Sequence, residues 1–195
     1  FPEFTTPDES YHGIVYTKEF GAMAYIIKAR MQLMRDIGAC PAAHSAFLLN
    51  LGLETLALRM PRYAEQGRRV AEYLSAAPQG ESVSYPGLPN DPYHALAEKY
   101  LGGNASGVVT FTIRGGRETA MRFMDALRLA SNEVHVADIR TCVLHPASET
   151  HRQLTDAQLL AAGVHPGMIR LSVGLENIED ILADLAQAFA KLDTI

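Results

Sequence analysis

Residues 168–175 read MIRLSVGL, and this short segment decides the fold. Its side chains alternate between apolar and small or polar types, a period of two that predicts a β-strand with one buried face. The same alternation recurs in residues 107–114, GVVTFTIR. Two strands that each present one apolar face must be covered by helices, so the sequence predicts a two-layer α/β fold.

Segments with helical spacing of apolar residues accompany these two strands. The clearest helix begins at residue 176 or 177, and acidic Glu179 and Asp180 in its first turn suit the helix dipole. Its apolar residues recur three or four positions apart, which predicts packing against a sheet. The remaining predicted elements are helices at 93–100, 117–129 and 156–162 and strands at 81–85, 133–137 and 141–145.

The N-terminal part has a different pattern. Residues 1–19 contain two prolines and no sustained period, so we expect an extended or looped arm. Residues 20–37 carry apolar side chains on more than one helical face, which predicts a buried helix. A second helix should begin near residue 42 and kink or break near Met60, because Pro61 lacks a backbone donor.

The composition is that of a globular protein, and it limits the partners. The chain has 195 residues, 48% hydrophobic and 20% charged, with a net charge of −5. This acidic balance argues against nucleic acid or an anionic membrane as the main partner, because both bind basic surfaces. No apolar run reaches the roughly eighteen residues of a membrane span. The two cysteines, Cys40 and Cys142, are too few for a disulfide-rich secreted domain, which favours a reducing cytoplasm.

No motif that carries a mechanism of its own is present. The glycine-rich residues 102–107 precede a strand and lack the lysine of a phosphate loop, so they predict a turn. The seven histidines include no pair at metal-ligand spacing on a predicted helix, and we expect no metal site. The chain begins at Phe1 rather than Met, so we expect either a processed chain or part of a longer one.

Arg170 is the candidate binding residue that local sequence singles out. It shares the non-apolar face of its strand with Ser172 and Gly174, whose small size leaves room for a ligand. A guanidinium group can bind a carboxylate through two parallel hydrogen bonds. From spacing alone, a solvent-facing arginine on the wet face of the sheet is favoured. The segment HPASETH, residues 145–151, follows a strand end and is a weaker candidate for a functional loop.

Several segments together resemble the Cys/Met metabolism family of pyridoxal-phosphate-dependent enzymes. The segments are FPEFTTPDESYHGIVY (1–16), FLLNLGLETLALRM (47–60), GGRETAMRFMDALRL (115–129), HPASETH and IRLSVGLENIEDILADL (169–185). They are similar to the C-terminal half of the O-acetylhomoserine sulfhydrylase branch. The resemblance implies that residues 1–62 end the cofactor-binding large domain. Residues 63–195 would form a small α/β domain whose mainly antiparallel sheet is covered by helices.

The resemblance also implies an activity and partners. Sulfide would replace the acetate of an amino-acid ester, O-acetyl-L-homoserine, to give L-homocysteine for methionine synthesis. A cystathionine-forming or cystathionine-cleaving relative, a methionine γ-lyase, or a non-catalytic α/β assembly module are the alternatives. Family members are homotetramers, so the partners would be other subunits and an N-terminal region, in the cytoplasm.

The site residues that the resemblance implies are few. Arg170 would bind the substrate α-carboxylate, which reverses the reading from spacing alone. Val136 and Ala137 would supply backbone contacts nearby, although Ala137 replaces an expected glycine. Thr150 matches a threonine on a loop near the active site. The lysine that bonds pyridoxal 5'-phosphate would lie before Phe1, so we expect the 195 residues alone to be inactive and not to bind the cofactor.

Overall fold

The computed structural model describes residues 1–192, and the chain divides into two compact units, Phe1–Glu54 and Thr55–Ile195. Among the described residues, no helix combines the length and apolar character that crossing a membrane requires. The sequence-based boundary between residues 62 and 63 remains a prediction about domains.

The first unit is built from short helical segments. Its α-helices are α1 Pro2–Thr5, α2 Tyr16–Phe20, α3 Ala24–Lys28, α4 Arg35–Ile37 and α5 Ala43–Glu54. Turns of 3-10 helix at Glu9–Tyr11 and Gly21–Met23 and a π-helical stretch at Ala29–Met34 connect them. Residues 1–19 are therefore not simply extended or looped. Local caps explain this, because Pro2 opens α1 and Asp8 accepts a hydrogen bond from Ser10 N.

The prediction of a buried helix at residues 20–37 is wrong for this chain. Tyr16 and Ala24 are the only buried residues of the fully described segment 1–54. The apolar side chains that stay exposed are Met23, Ile26, Met31, Leu33, Met34 and Ile37, and on α5 Phe47, Leu48, Leu49, Leu51 and Leu53. Exposed apolar helix faces are typical of surfaces that pack against other protein, and this unit itself supplies no covering layer.

The second unit begins with a long helix, α6 Leu56–Ala76, that contains Pro61. A break near Met60 is wrong, because α6 continues through Pro61 and the interruption lies at Thr55, between α5 and α6. The alternative of a kink near Met60 stays a prediction. Pro61 removes one donor in the second turn, and the carbonyl of Ala57 that it would have bonded belongs to an exposed residue. Water can satisfy that carbonyl, so the helix continues.

The rest of the second unit alternates strands and helices as the sequence predicts. The elements are β1 Gly80–Ser84, α7 His94–Leu101, β2 Val108–Ile113, α8 Gly116–Ala126, β3 Ser131–Asn132, β4 Cys142–Leu144, α9 Asp156–Ala161, β5 Met168–Ser172 and α10 Ile178–Leu192. Helices α6, α8 and α10 lie on one side of the sheet. The two-layer α/β prediction therefore describes this unit.

The strands form one sheet in the order β1-β2-β5-β4-β3. β2 pairs antiparallel with β1 and β5, and β5 pairs antiparallel with β4, whereas β3 pairs parallel with β4. The sheet in residues 1–192 is therefore mixed, which corrects the prediction of a mainly antiparallel sheet. The reason is the segment between β3 and β4, which crosses over before the chain re-enters the sheet.

The core lies between the sheet and its helices. Val109, Phe111 and Ile113 on β2 and Ile169 and Leu171 on β5 are buried, as the alternation predicts. The rings of Phe111, Phe123 and Phe189 join the two layers, with centroids 4.6–6.4 Å apart. Burial of this face turns the alternate residues of β2 and β5, including Arg170, to the opposite face of the sheet.

Candidate functional site

Arg170 lies on β5, the strand between β2 and β4. In the two ladders it is opposite Thr110 and Leu144. Since Ile169 and Leu171 point into the core, the Arg170 side chain extends from the face that the helices leave open. The strand thereby holds the base of this long side chain rigidly.

The guanidinium of Arg170 is only partly satisfied by the protein. Its Nη2 donates to the carbonyl of Val134 at 2.7 Å. Its Nε is buried and has no hydrogen-bond partner among the described residues. Within residues 1–192, no carboxylate is paired with Arg170. A buried donor without a partner is costly, and a carboxylate that binds Nε and one Nη would remove that cost.

The loop 133–141 runs beside Arg170 and supplies the Val134 carbonyl. The predicted strand at 133–137 is wrong, since the ladder ends at Asn132. Ala137 has a φ of 59°, in the left-handed region, and it forms a corner in this loop. The sequence feature that points to this conformation is the alanine at a position where the family resemblance leads one to expect glycine. Glycine adopts a left-handed conformation without strain, whereas alanine does not.

Two side chains hold the corner at Ala137. Ser172 Oγ accepts a hydrogen bond from Ala137 N at 2.9 Å. The hydroxyl of Tyr63, on α6, is 3.3 Å from the carbonyl oxygen of Ala137 and 3.2 Å from that of Asp138. The Val136 side chain between these contacts and Val134 is exposed. The predicted contacts of Val136 and Ala137 with a substrate stay a prediction.

The far end of the loop is bonded to the turn that follows β5. Gly174 N donates to Thr141 Oγ1 at 3.0 Å, and the Thr141 hydroxyl donates to Glu176 Oε2 at 2.8 Å. Gln66 Nε2, on α6, donates to the Gly174 carbonyl. A Cβ on Gly174 would lie 2.5 Å from the Arg140 carbonyl carbon and from Thr141 N. The space beside this glycine therefore holds the loop backbone, not a ligand.

Charged groups on the loop pair with one another. Arg140 lies 3.5 Å from both Asp138 Oδ1 and Glu133 Oε2, and His135 Nδ1 lies 2.9 Å from the same Glu133 oxygen. A hydrogen bond from the Arg140 backbone, reinforced by its side chain, lowers the pKa of Asp138. These acidic groups are thus engaged with Arg140 and His135, which leaves Arg170 available for an anionic ligand.

The HPASETH segment continues from β4, the neighbour of β5. His145 is fully buried, with Nε2 2.8 Å from the Pro166 carbonyl and Nδ1 2.8 Å from Ser148 Oγ. Burial lowers its pKa, which favours a neutral ring. Thr150 is exposed, and its Oγ1 is 2.9 Å from His151 Nδ1. The contacts described for Thr150 do not include Arg170 or its loop, so its role at the site stays a prediction.

The lysines do not form a pocket for a covalently bound cofactor. Lys28 Nζ lies 2.5 Å from Asp8 Oδ2, and Lys99 Nζ lies over the Tyr100 ring. Lys18 and Lys191 lie on helix surfaces. A Schiff base needs an accessible amine within an enclosed site, which none of these four residues offers.

Comparison with known proteins identifies the family. Residues 9–190 match the model of the Cys/Met metabolism PLP-dependent enzymes. The chain belongs to this family. It is 45% identical to O-acetyl-L-homoserine sulfhydrylase 1 of Thermus thermophilus, over 97% of this chain and 45% of the relative. It is also 45% identical to a homocysteine synthase of Schizosaccharomyces pombe, over 96% of this chain and 44% of the relative.

The fold comparison agrees with the family assignment. A crystal structure of O-acetylhomoserine (thiol)-lyase from Campylobacter jejuni superposes with a TM-score of 0.81 at 38% identity, over 97% of this chain and 45% of that one. That structure contains a pyridoxyl-lysine phosphate. This chain thus spans less than half the length of the curated relatives that it matches.

Local sequence singles out Arg170, whose role stays a prediction, but it does not indicate the residues that hold the surroundings of Arg170. Tyr63 and Gln66 fit an ordinary helical pattern, and a polar glutamine three residues after a tyrosine is the one sequence feature that marks them. Ser172 was noticed only for its small size. Its hydroxyl is what bonds the loop.

Proposed function

We propose that this chain supplies the substrate-carboxylate site of an O-acetyl-L-homoserine sulfhydrylase, with Arg170 binding the α-carboxylate. The observation that carries the proposal is the buried Arg170 Nε, which has no partner among the described residues and lies beside the Nη2 group bonded to Val134. The 45% identity to named sulfhydrylases supports the substrate class.

In the proposed reaction, sulfide replaces the acetate of O-acetyl-L-homoserine and yields L-homocysteine and acetate. The role of this chain would be to position the substrate. Arg170 would orient the substrate through its carboxylate, and the backbone of Val136 and Ala137 would border that group. Thr150 would approach from the loop after β4. Residues 1–62 would complete a cofactor domain and residues 63–195 the small domain.

The family name and the Campylobacter relative support pyridoxal 5'-phosphate as the cofactor of the complete enzyme. The exposed apolar side chains of residues 20–53 support burial against further protein, and we propose a homotetramer in the cytoplasm. Light scattering of the intact protein tests the assembly, and a monomer would contradict it.

Replacing Arg170 by lysine tests the carboxylate site. Lysine keeps the charge but loses the planar fork, so Arg170→Lys should lower kcat/KM for O-acetyl-L-homoserine by about 100-fold and leave KM for sulfide unchanged. Arg68→Lys is the matched control, because Arg68 pairs with Glu72 on the exposed side of α6. Wild-type kinetics in Arg170→Lys would refute the assignment.

Choice of the nucleophile separates the sulfhydrylase from its nearest alternative. The intact enzyme should convert O-acetyl-L-homoserine faster with sulfide than with L-cysteine at equal concentration. A preference for L-cysteine, with cystathionine as the product, would instead identify a cystathionine-forming enzyme that uses the same Arg170 site.

A further inference from the structure

We propose that Tyr63 and Gln66 are positioning residues of the Arg170 site and set its affinity for the substrate carboxylate. The inference rests on the proposed function of Arg170. Neither residue bonds Arg170 itself. Both act from α6 on the two backbone segments that flank it, the loop after β3 and the turn after β5.

Tyr63 acts on the loop. The residue is buried, and its hydroxyl lies within 3.3 Å of two successive carbonyl oxygens, those of Ala137 and Asp138. One hydroxyl proton shared between two carbonyls requires both to point toward α6, which the left-handed φ of Ala137 makes possible. The hydroxyl therefore fixes the corner three residues after Val134, whose carbonyl orients Arg170.

Gln66 acts on the strand end. It lies one helical turn after Tyr63 and is fully buried, and its Nε2 donates to the carbonyl of Gly174. The N–H of Gly174 is bonded to Thr141 Oγ1, so both polar groups of this glycine have fixed partners. The chain is thereby held four residues after Arg170, just beyond the end of β5, and this contact helps to fix the direction in which the strand presents the guanidinium.

The remaining atom of the Gln66 amide argues against a purely stabilising role. Gln66 Oε1 is buried and has no hydrogen-bond partner among the described residues. An unpaired buried acceptor costs stability, and this cost offsets part of what the bond from Nε2 to the Gly174 carbonyl contributes. The amide thus stabilises the fold less than a fully bonded side chain would, which fits a role in placing the backbone at Gly174.

Binding of two small ligands to the intact enzyme tests the inference. L-Homoserine carries the α-carboxylate and lacks the acetyl leaving group, and 3-amino-1-propanol is the same molecule without the carboxylate. Tyr63→Phe should raise the dissociation constant of L-homoserine about fivefold, because one hydrogen bond is lost. The dissociation constant of 3-amino-1-propanol should stay unchanged. Gln66→Met should act in the same direction.

Tyr85→Phe is the matched control. The Tyr85 hydroxyl is also buried and also lies near two carbonyl oxygens, at 3.1 Å from Ala64 and 3.4 Å from Ala105. Its removal should lower thermal stability without changing the ratio of the two dissociation constants. The inference is overturned if Tyr63→Phe weakens both ligands equally, as a general structural defect would, or if it weakens neither.

The two proposals fail in different ways. If Arg170→Lys weakens the binding of L-homoserine but Tyr63→Phe and Gln66→Met do not, the positioning role is refuted and the carboxylate site stands. If Arg170→Lys also leaves L-homoserine binding unchanged, both are refuted. If the variants weaken L-homoserine but wild-type enzyme does not convert O-acetyl-L-homoserine, the positioning role stands and the substrate is corrected.

Discussion

Ser172 Oγ accepts a hydrogen bond from the backbone N–H of Ala137 at 2.9 Å, across 35 positions of sequence. The bond joins the strand that carries Arg170 to the corner of the loop that supplies its carbonyl partner, Val134. The strand and the loop that form the site are therefore directly bonded, and a substitution at Ser172 or Ala137 should alter the position of the Arg170 guanidinium.

Ala137→Gly should stabilise the protein. An alanine at a φ of 59° is strained, and glycine adopts this conformation freely, although it also gains entropy in the unfolded chain. The net change expected is about 0.5–1 kcal/mol more free energy of unfolding. Chemical denaturation measures it. Ala157→Gly on α9, where the conformation is helical, should instead be destabilising, and equal losses in both variants would contradict the strain at Ala137.

Ser172→Ala should destabilise the protein and weaken carboxylate binding together. The Ala137 N–H would lose its acceptor in a half-buried position, which costs about 1–2 kcal/mol of unfolding free energy. Ser75→Ala is the control, because the Ser75 hydroxyl donates to the Ala71 carbonyl one turn earlier in α6. Urea denaturation measures the first effect and L-homoserine binding measures the second. Unchanged binding in Ser172→Ala would show that the bond from Ala137 to Ser172 does not affect carboxylate binding.

The two central strands of the sheet were predictable from sequence, whereas its parallel edge pair and the loop were not. Alternation in 107–114 and 168–175 follows directly from burial of one face, so it located β2, β5 and the orientation of Arg170. The loop depends on bonds from residues as distant as Tyr63 and Ser172, and no local pattern encodes them. The same limit applies to 20–37, where an apolar pattern predicts cover that lies outside the unit.

Asp184→Asn should lower the free energy of unfolding by about 2–3 kcal/mol, the range for hydrogen bonds to a charged group. The buried Asp184 carboxylate on α10 accepts three backbone N–H groups, from Arg128, Leu129 and Ala130, at 2.8–3.1 Å. An amide would turn one acceptor into a donor that faces other donors. Thermal denaturation measures the loss. Asp180→Asn, at an exposed position in the first turn of the same helix, should cost less than about 1 kcal/mol, and equal effects would contradict the role of the three hydrogen bonds to Asp184.

His145 should make stability depend on pH in the mildly acidic range. Its folded pKa lies below the ordinary value of 6.5 because the ring is buried. The unfolded chain therefore binds the proton more readily, and the stability contributed by neutral His145 is present above about pH 6.5 and lost as the pH falls toward the folded pKa. In His145→Gln, which cannot titrate, this part of the loss should vanish.

Urea denaturation of wild type and His145→Gln at intervals between about pH 7.5 and 5 measures the effect. The stability advantage of the wild type should shrink steadily as the pH falls, because only the wild type must release a proton to refold. An advantage that stays constant over the range would mean that His145 does not titrate on unfolding. The contact between His145 Nδ1 and Ser148 Oγ would then serve only the packing of this segment.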